Sequence, residues 1–145
     1  MEIRLSVRKA LAAGVVLIAL GAGAALAASK YGKPKSIVHV VTLYYKDGTT
    51  DEQKKAVLDG IEKMASEIPG IKNVWLKSIK VQGAYQEKQA DGSFKNRPFT
   101  DAFVMEFENE AAFKAYEEHP AHRAWSDKVY LPVRGYSSTH DITNQ

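Results

Sequence analysis

Nine consecutive residues, Ile37-Val38-His39-Val40-Val41-Thr42-Leu43-Tyr44-Tyr45, constrain this chain more than any other stretch. The run is β-branched and aromatic, so it reads as a strand. Both of its alternating faces are largely apolar, which places it inside a sheet with cover on both sides. Lys46-Asp47-Gly48 ends it in a turn, and the rest of the chain has to supply the cover.

The period then changes. Thr50 and Gln53 form a capping box, and Asp51 and Glu52 suit the positive end of a helix dipole. Val57, Ile61, Met64 and Ile68 recur at helical spacing as one buried stripe, and Pro69-Gly70 stops the helix. A second strand starts near Lys72 and runs through Val74-Trp75-Leu76 toward Gln82, with Gly83 as a bend. The polar stretch from Gln86 to Pro98, containing Asp91-Gly92, reads as an extended hairpin loop. Thr100 to Glu108 is a third strand, with Phe103, Met105 and Phe107 on one face. Asn109 caps a second helix that Pro120 breaks, and Ala121 to Tyr130 resumes it. Val133 to Ile142 is the closing strand, interrupted at Gly135. The order β-α-β-β-α-β is the ferredoxin-like α+β arrangement, whose helices cover only one face of a four-stranded sheet. The other face needs a cover, and a second copy across a two-fold axis supplies one, so a homodimer is expected.

Before this domain comes a segment of another character. Arg4, Arg8 and Lys9 precede an uncharged stretch from Ala10 to Ala28 centred on Val15–Leu20, and Ala25-Leu26-Ala27 gives the small-x-small pattern of a cleavage site. Residues 1–27 therefore read as a signal peptide, against the alternative of a retained anchor. A flexible arm follows over 28–36, the domain occupies 37–142, and 143–145 form a tail. The expected location is periplasmic or secreted, with no membrane association after cleavage.

Removing 27 residues from 145 leaves 118, the size of one ordinary domain. Three of the 20 basic residues and one of the 17 acidic ones go with the leader, so the remainder carries only about +1. Binding to nucleic acid, which needs a net basic face, is not expected. The chain has no cysteine, which excludes disulfides, thiolate metal sites and thiol nucleophiles.

Two segments carry a resemblance. His39 sits within Val38-His39-Val40-Val41, shortly before Tyr45-Lys46. A strand ending in Phe107-Glu108 leads into a helix with Tyr116 and then His119-Pro120-Ala121-His122. With Asp141 in the closing strand, this pattern resembles the stress-responsive A/B barrel (Dabb) family from about Ser36 to Ile142. The resemblance implies a dimeric α+β barrel with a cavity in each subunit between sheet and helices. It also implies an acid–base pair at Tyr116 and His122, as in a cofactor-free plant polyketide cyclase of the family, and a pocket histidine at His39. Asp101 stands where that cyclase has another histidine. This difference and the longer 86–98 loop set the chain apart.

From the residues themselves, a neutral imidazole at His122 is suited to moving a proton. Tyr116, six residues earlier across the Pro120 break, is placed to hold a carbonyl or enolate oxygen. The competing reading has Tyr116 as packing and His122 bonded to a backbone carbonyl near the break. His39 and His119, with Asp101 added by the resemblance alone, complete the expected ligand-binding set, although His39 also suits a core role and His119 also suits capping a helix end. The histidine spacings give no two-ligand pair on one unbroken helix, so no metal is expected, and no cofactor. The first expectation is an exported barrel that binds a small apolar or carbonyl-containing ligand. A cofactor-free cyclase, lyase or isomerase is one alternative; a monooxygenase-like or haem-binding barrel is another.

Overall fold

The computed structural model describes residues 32–144. The expected signal peptide and the arm as far as Tyr31 lie outside the described residues. Among the described residues no helix is long and apolar enough to cross a membrane.

The elements are β1 (Ile37–Tyr45), α1 (Asp51–Glu67), β2 (Ile71–Trp75), β3 (Ala84–Lys88), β4 (Phe94–Pro98), β5 (Asp101–Phe107), α2 (Glu110–Glu118), α3 (Pro120–Trp125) and β6 (Arg134–Ile142). A π-helical turn, Ser126–Tyr130, and one further helical turn, Leu131–Val133, join α3 to β6. The main sheet has the antiparallel order β2-β5-β1-β6, so β1 is central, as its composition requires. This is the ferredoxin-like split βαβ, with α1 carrying the chain from β1 over β5 to β2.

The inner face of β1 is the core. Ile37, Val41 and Leu43 pack with Phe103, Met105 and Phe107 of β5 against Val57, Ile61 and Met64 of α1. The capping box at Thr50 is formed: Gln53 N donates to Thr50 Oγ1 at 3.3 Å, and Thr50 N donates to Gln53 Oε1 at 2.9 Å. Trp125 fastens α3 to α1 by donating its indole N–H to the Val57 carbonyl at 3.0 Å. Its ring lies where a side chain at Gly60 would have to be.

The outer face of β1 departs from the sequence expectation. Tyr44 is buried, but Val38, Val40 and Thr42 are only half-buried. Val104, Trp75 and Ile142 extend this apolar face across the sheet, with Trp75 and Ile142 more than half exposed. Among the described residues no element covers this side of the sheet.

Two further differences follow from backbone pairing. β2 stops at Trp75, the last residue paired with β5, instead of reaching Gln82. The polar stretch expected as an extended hairpin loop is a hairpin of two paired strands, β3 against β4, in register from Ala84↔Pro98 to Lys88↔Phe94. Gly83 (φ +101°) and Gly92 (φ +84°) make its entry and its tip in the left-handed region that glycine favours. Arg97 anchors it by bridging Glu87 (2.8 Å) and Asp47 (2.9 Å), and Tyr85 stacks on Tyr136 of β6 at 3.9 Å. Of the tail, Asn144 donates through Nδ2 to the Pro34 carbonyl.

Candidate functional site

The site begins with the local consequence of Pro120. A proline supplies no N–H and disfavours helical backbone in the residue before it, so α2 ends and α3 starts afresh with Pro120 in its first turn. His119 sits at the junction with extended backbone. Its Nδ1 accepts from Ala121 N at 3.2 Å, which caps α3. The break also leaves the Glu117 carbonyl, in the last turn of α2, without a helical partner. His122 turns back to it, Nδ1 to oxygen, at 3.3 Å. Because a carbonyl can only accept, this contact places the proton on Nδ1 and leaves the lone pair on Nε2. Burial holds the His122 pKa below its ordinary value, only partly offset by this hydrogen bond, so the ring is neutral at pH 7.

His122 lies against Tyr116, ring centroids 4.2 Å apart. Tyr116 is almost wholly buried, and burial pushes its phenol pKa up, so the hydroxyl keeps its proton. Among the described residues no hydrogen bond joins the Tyr116 hydroxyl to His122; the pair is a ring contact. His39 reaches the same place from β1, its ring 6.0 Å from Tyr116 and 5.6 Å from Phe113. Its Nδ1 lies 2.6 Å from Asp141 Oδ1, directly opposite in the β1–β6 register. The carboxylate accepts, so here too Nδ1 carries the proton.

These three side chains line one cleft of about 160 Å³ between the sheet and the α2–α3 segment. Val41, Phe103 and Trp125 give it an apolar floor, and Ser126, Arg134, Ser137 and Thr139 a polar wall. It is smaller than the roughly 300 Å³ at which drug-sized pockets begin. Among the described residues no cluster of three or more His, Cys, Asp or Glu side chains is arranged to hold a metal ion.

The expected site residues thus separate. His39, Tyr116 and His122 converge on the cleft; Asp101 and His119 are not in its lining. Asp101 pairs with Leu43, four residues along β1 from His39 and so roughly 13 Å away. Its carboxylate accepts from the Thr100 hydroxyl at 2.6 Å. The His119 ring is occupied in capping α3. Asp141, which the sequence marks only as part of the family pattern, is the partner of His39, and Arg134 joins the lining without any sequence signal.

A four-stranded antiparallel ferredoxin-like sheet with its helices on one face places the chain among small α+β proteins. Residues 37–144 match the Stress responsive A/B Barrel Domain, and the chain belongs to that family. Among solved structures it is similar to a dimeric ferredoxin-like protein of unknown function from Thermobifida fusca YX, at 25% identity and TM-score 0.54, covering 79% of this chain and 96% of that one. It is also similar to a hypothetical Arabidopsis thaliana protein (20% identity, TM-score 0.58, 80% and 94% covered). A third is the hydroxynitrile lyase from Passiflora edulis (17% identity, TM-score 0.55, 77% and 97% covered). No curated protein matches.

Proposed function

We propose that this chain is an exported A/B barrel protein that binds a small carbonyl compound in the cleft beneath α2 and α3. The observation that carries the reading is the convergence of His39, Tyr116 and His122 on one small, partly apolar cleft. A protonated phenol and two imidazoles of fixed tautomer can hold a carbonyl oxygen, and the apolar floor takes the carbon skeleton. The test is an NMR titration with pentane-2,4-dione, following the ring signals of the three residues. The reading requires those signals to move together and Tyr116→Phe to weaken binding. Unmoved rings with shifts elsewhere refute it.

One observation favours a second reading, a cofactor-free acid–base enzyme. His122 is neutral, with its Nε2 lone pair free of the Glu117 contact. It can take a proton from the carbon next to a carbonyl; the electron pair moves to oxygen, where the Tyr116 hydroxyl donates to the enolate, and the proton returns from His122. The hydroxynitrile lyase shows that the fold accommodates an enzyme, but fold alone does not assign chemistry. Loss of deuterium from the central carbon of labelled pentane-2,4-dione reads this step. Catalysis requires His122→Ala to slow it by about 10²-fold or more.

Export rests on the basic, apolar and small-residue pattern of residues 1–27. N-terminal sequencing of protein recovered from outside the cytoplasm should start at Ala28. A homodimer is supported by the apolar face of Val38, Val40, Val104, Trp75 and Ile142, which no element among the described residues covers, and by the dimeric description of the Thermobifida fusca protein.

A further inference from the structure

We propose that Arg134 reads a carboxylate, so that the ligand of the cleft is a small organic acid, its anionic end on the guanidinium and its carbon body on the apolar floor; this rests on the cleft being the binding site.

The first observation is a register shift. β1 and β6 pair Tyr44 with Tyr136 but Tyr45 with Arg134, so Gly135 is the extra residue of a β-bulge. In a regular strand Arg134 and Tyr136 would share the outer face. The bulge turns Arg134 onto the inner face beside buried Tyr45, and it enters the cleft lining. Gly135 is required at this point because a Cβ there would lie 2.5 Å from the Tyr44 ring.

The second observation is charge. Arg134 is half-buried, and among the described residues no carboxylate lies within ion-pair distance of it. Its guanidinium lies over the Tyr130 ring, 5.7 Å from the centroid. A half-buried cation without a counter-charge is open to an anionic partner, and a planar guanidinium matches a carboxylate geometrically. The acidic member of the lining, Glu117, is exposed and holds His122 through its backbone carbonyl. Asp141 is already paired with His39. The Ser137 and Thr139 side chains in the same lining belong to β6, the strand that Arg134 opens.

The test compares benzoate with benzamide, which keeps the shape and removes the charge, by NMR titration of the cleft signals. Benzoate should bind about tenfold or more tightly, the range expected for a charge-assisted pair. Arg134→Gln should abolish the preference, and Arg134→Lys should retain part of it; amide spectra check that both variants keep the fold. Equal binding of the two probes, or an undiminished preference in Arg134→Gln, overturns the assignment. If neither probe moves the cleft signals while pentane-2,4-dione does, the carboxylate assignment alone falls. If none of the three does, the reading beneath it falls as well.

Discussion

His39 and Asp141 face one another across β1 and β6 with Nδ1 and Oδ1 2.6 Å apart, and this contact orients a ring that lines the cleft. The residues are 102 positions apart in sequence and meet only because the register sets them opposite. Asp141→Asn should release the ring. The downfield Nδ1 proton signal of His39 should disappear, while stability falls by about 1 kcal/mol or less because the carboxylate is 44% exposed.

Tyr116→Phe should separate packing from chemistry. The ring contacts with Phe107 and His122 survive, so stability should change by less than about 1 kcal/mol, while affinity for a carbonyl ligand should drop. Tyr116→Ala removes one of the largest fully buried side chains and should cost about 3–5 kcal/mol by denaturant unfolding.

Gly60→Ala should destabilise the protein although alanine favours a helix by about 1 kcal/mol. A methyl group there overlaps the Trp125 ring, and moving that ring breaks its bond to the Val57 carbonyl. Overpacking of this kind costs about 1–3 kcal/mol. Trp125 fluorescence, read in a Trp75→Phe background, should report the displacement.

Acid should weaken the fold through His122. Burial lowers its pKa in the folded state, so below the unfolded value the unfolded chain binds more protons. The contribution is fully present above the ordinary histidine range and is lost as pH falls from there through the folded pKa. Stability measured across this window should fall less in His122→Gln, and the ring should titrate below a free histidine.

What was legible in the sequence was local. The β-branched run of β1, the stripe of α1, its Thr50–Gln53 cap and the break at Pro120 each depend on residues within a few positions of one another. The family pattern added Tyr116, His122 and His39, which the fold does gather. Asp141 and Arg134 were hidden because their roles depend on strand register, and Gly135 inverts the alternation that would place Arg134 outside. Of the two roles that His119 suits, ligand binding and capping a helix end, the fold shows the capping one, at the start of α3. Asp101 was placed there by correspondence with a relative, whereas its register position sets it opposite Leu43. The 86–98 stretch reads as a hairpin loop, but its paired strands β3 and β4 carry no sequence signal because their faces are mostly polar and contacts such as Tyr85 on Tyr136 are not local.

Crystals of the protein soaked with pentane-2,4-dione show whether the cleft beneath α2 and α3 is the binding site. The diketone should occupy the cleft, one carbonyl oxygen within hydrogen-bond reach of the Tyr116 hydroxyl or a ring nitrogen of His39 or His122. An empty cleft with the compound bound on the outer sheet face or along the hairpin would contradict that assignment.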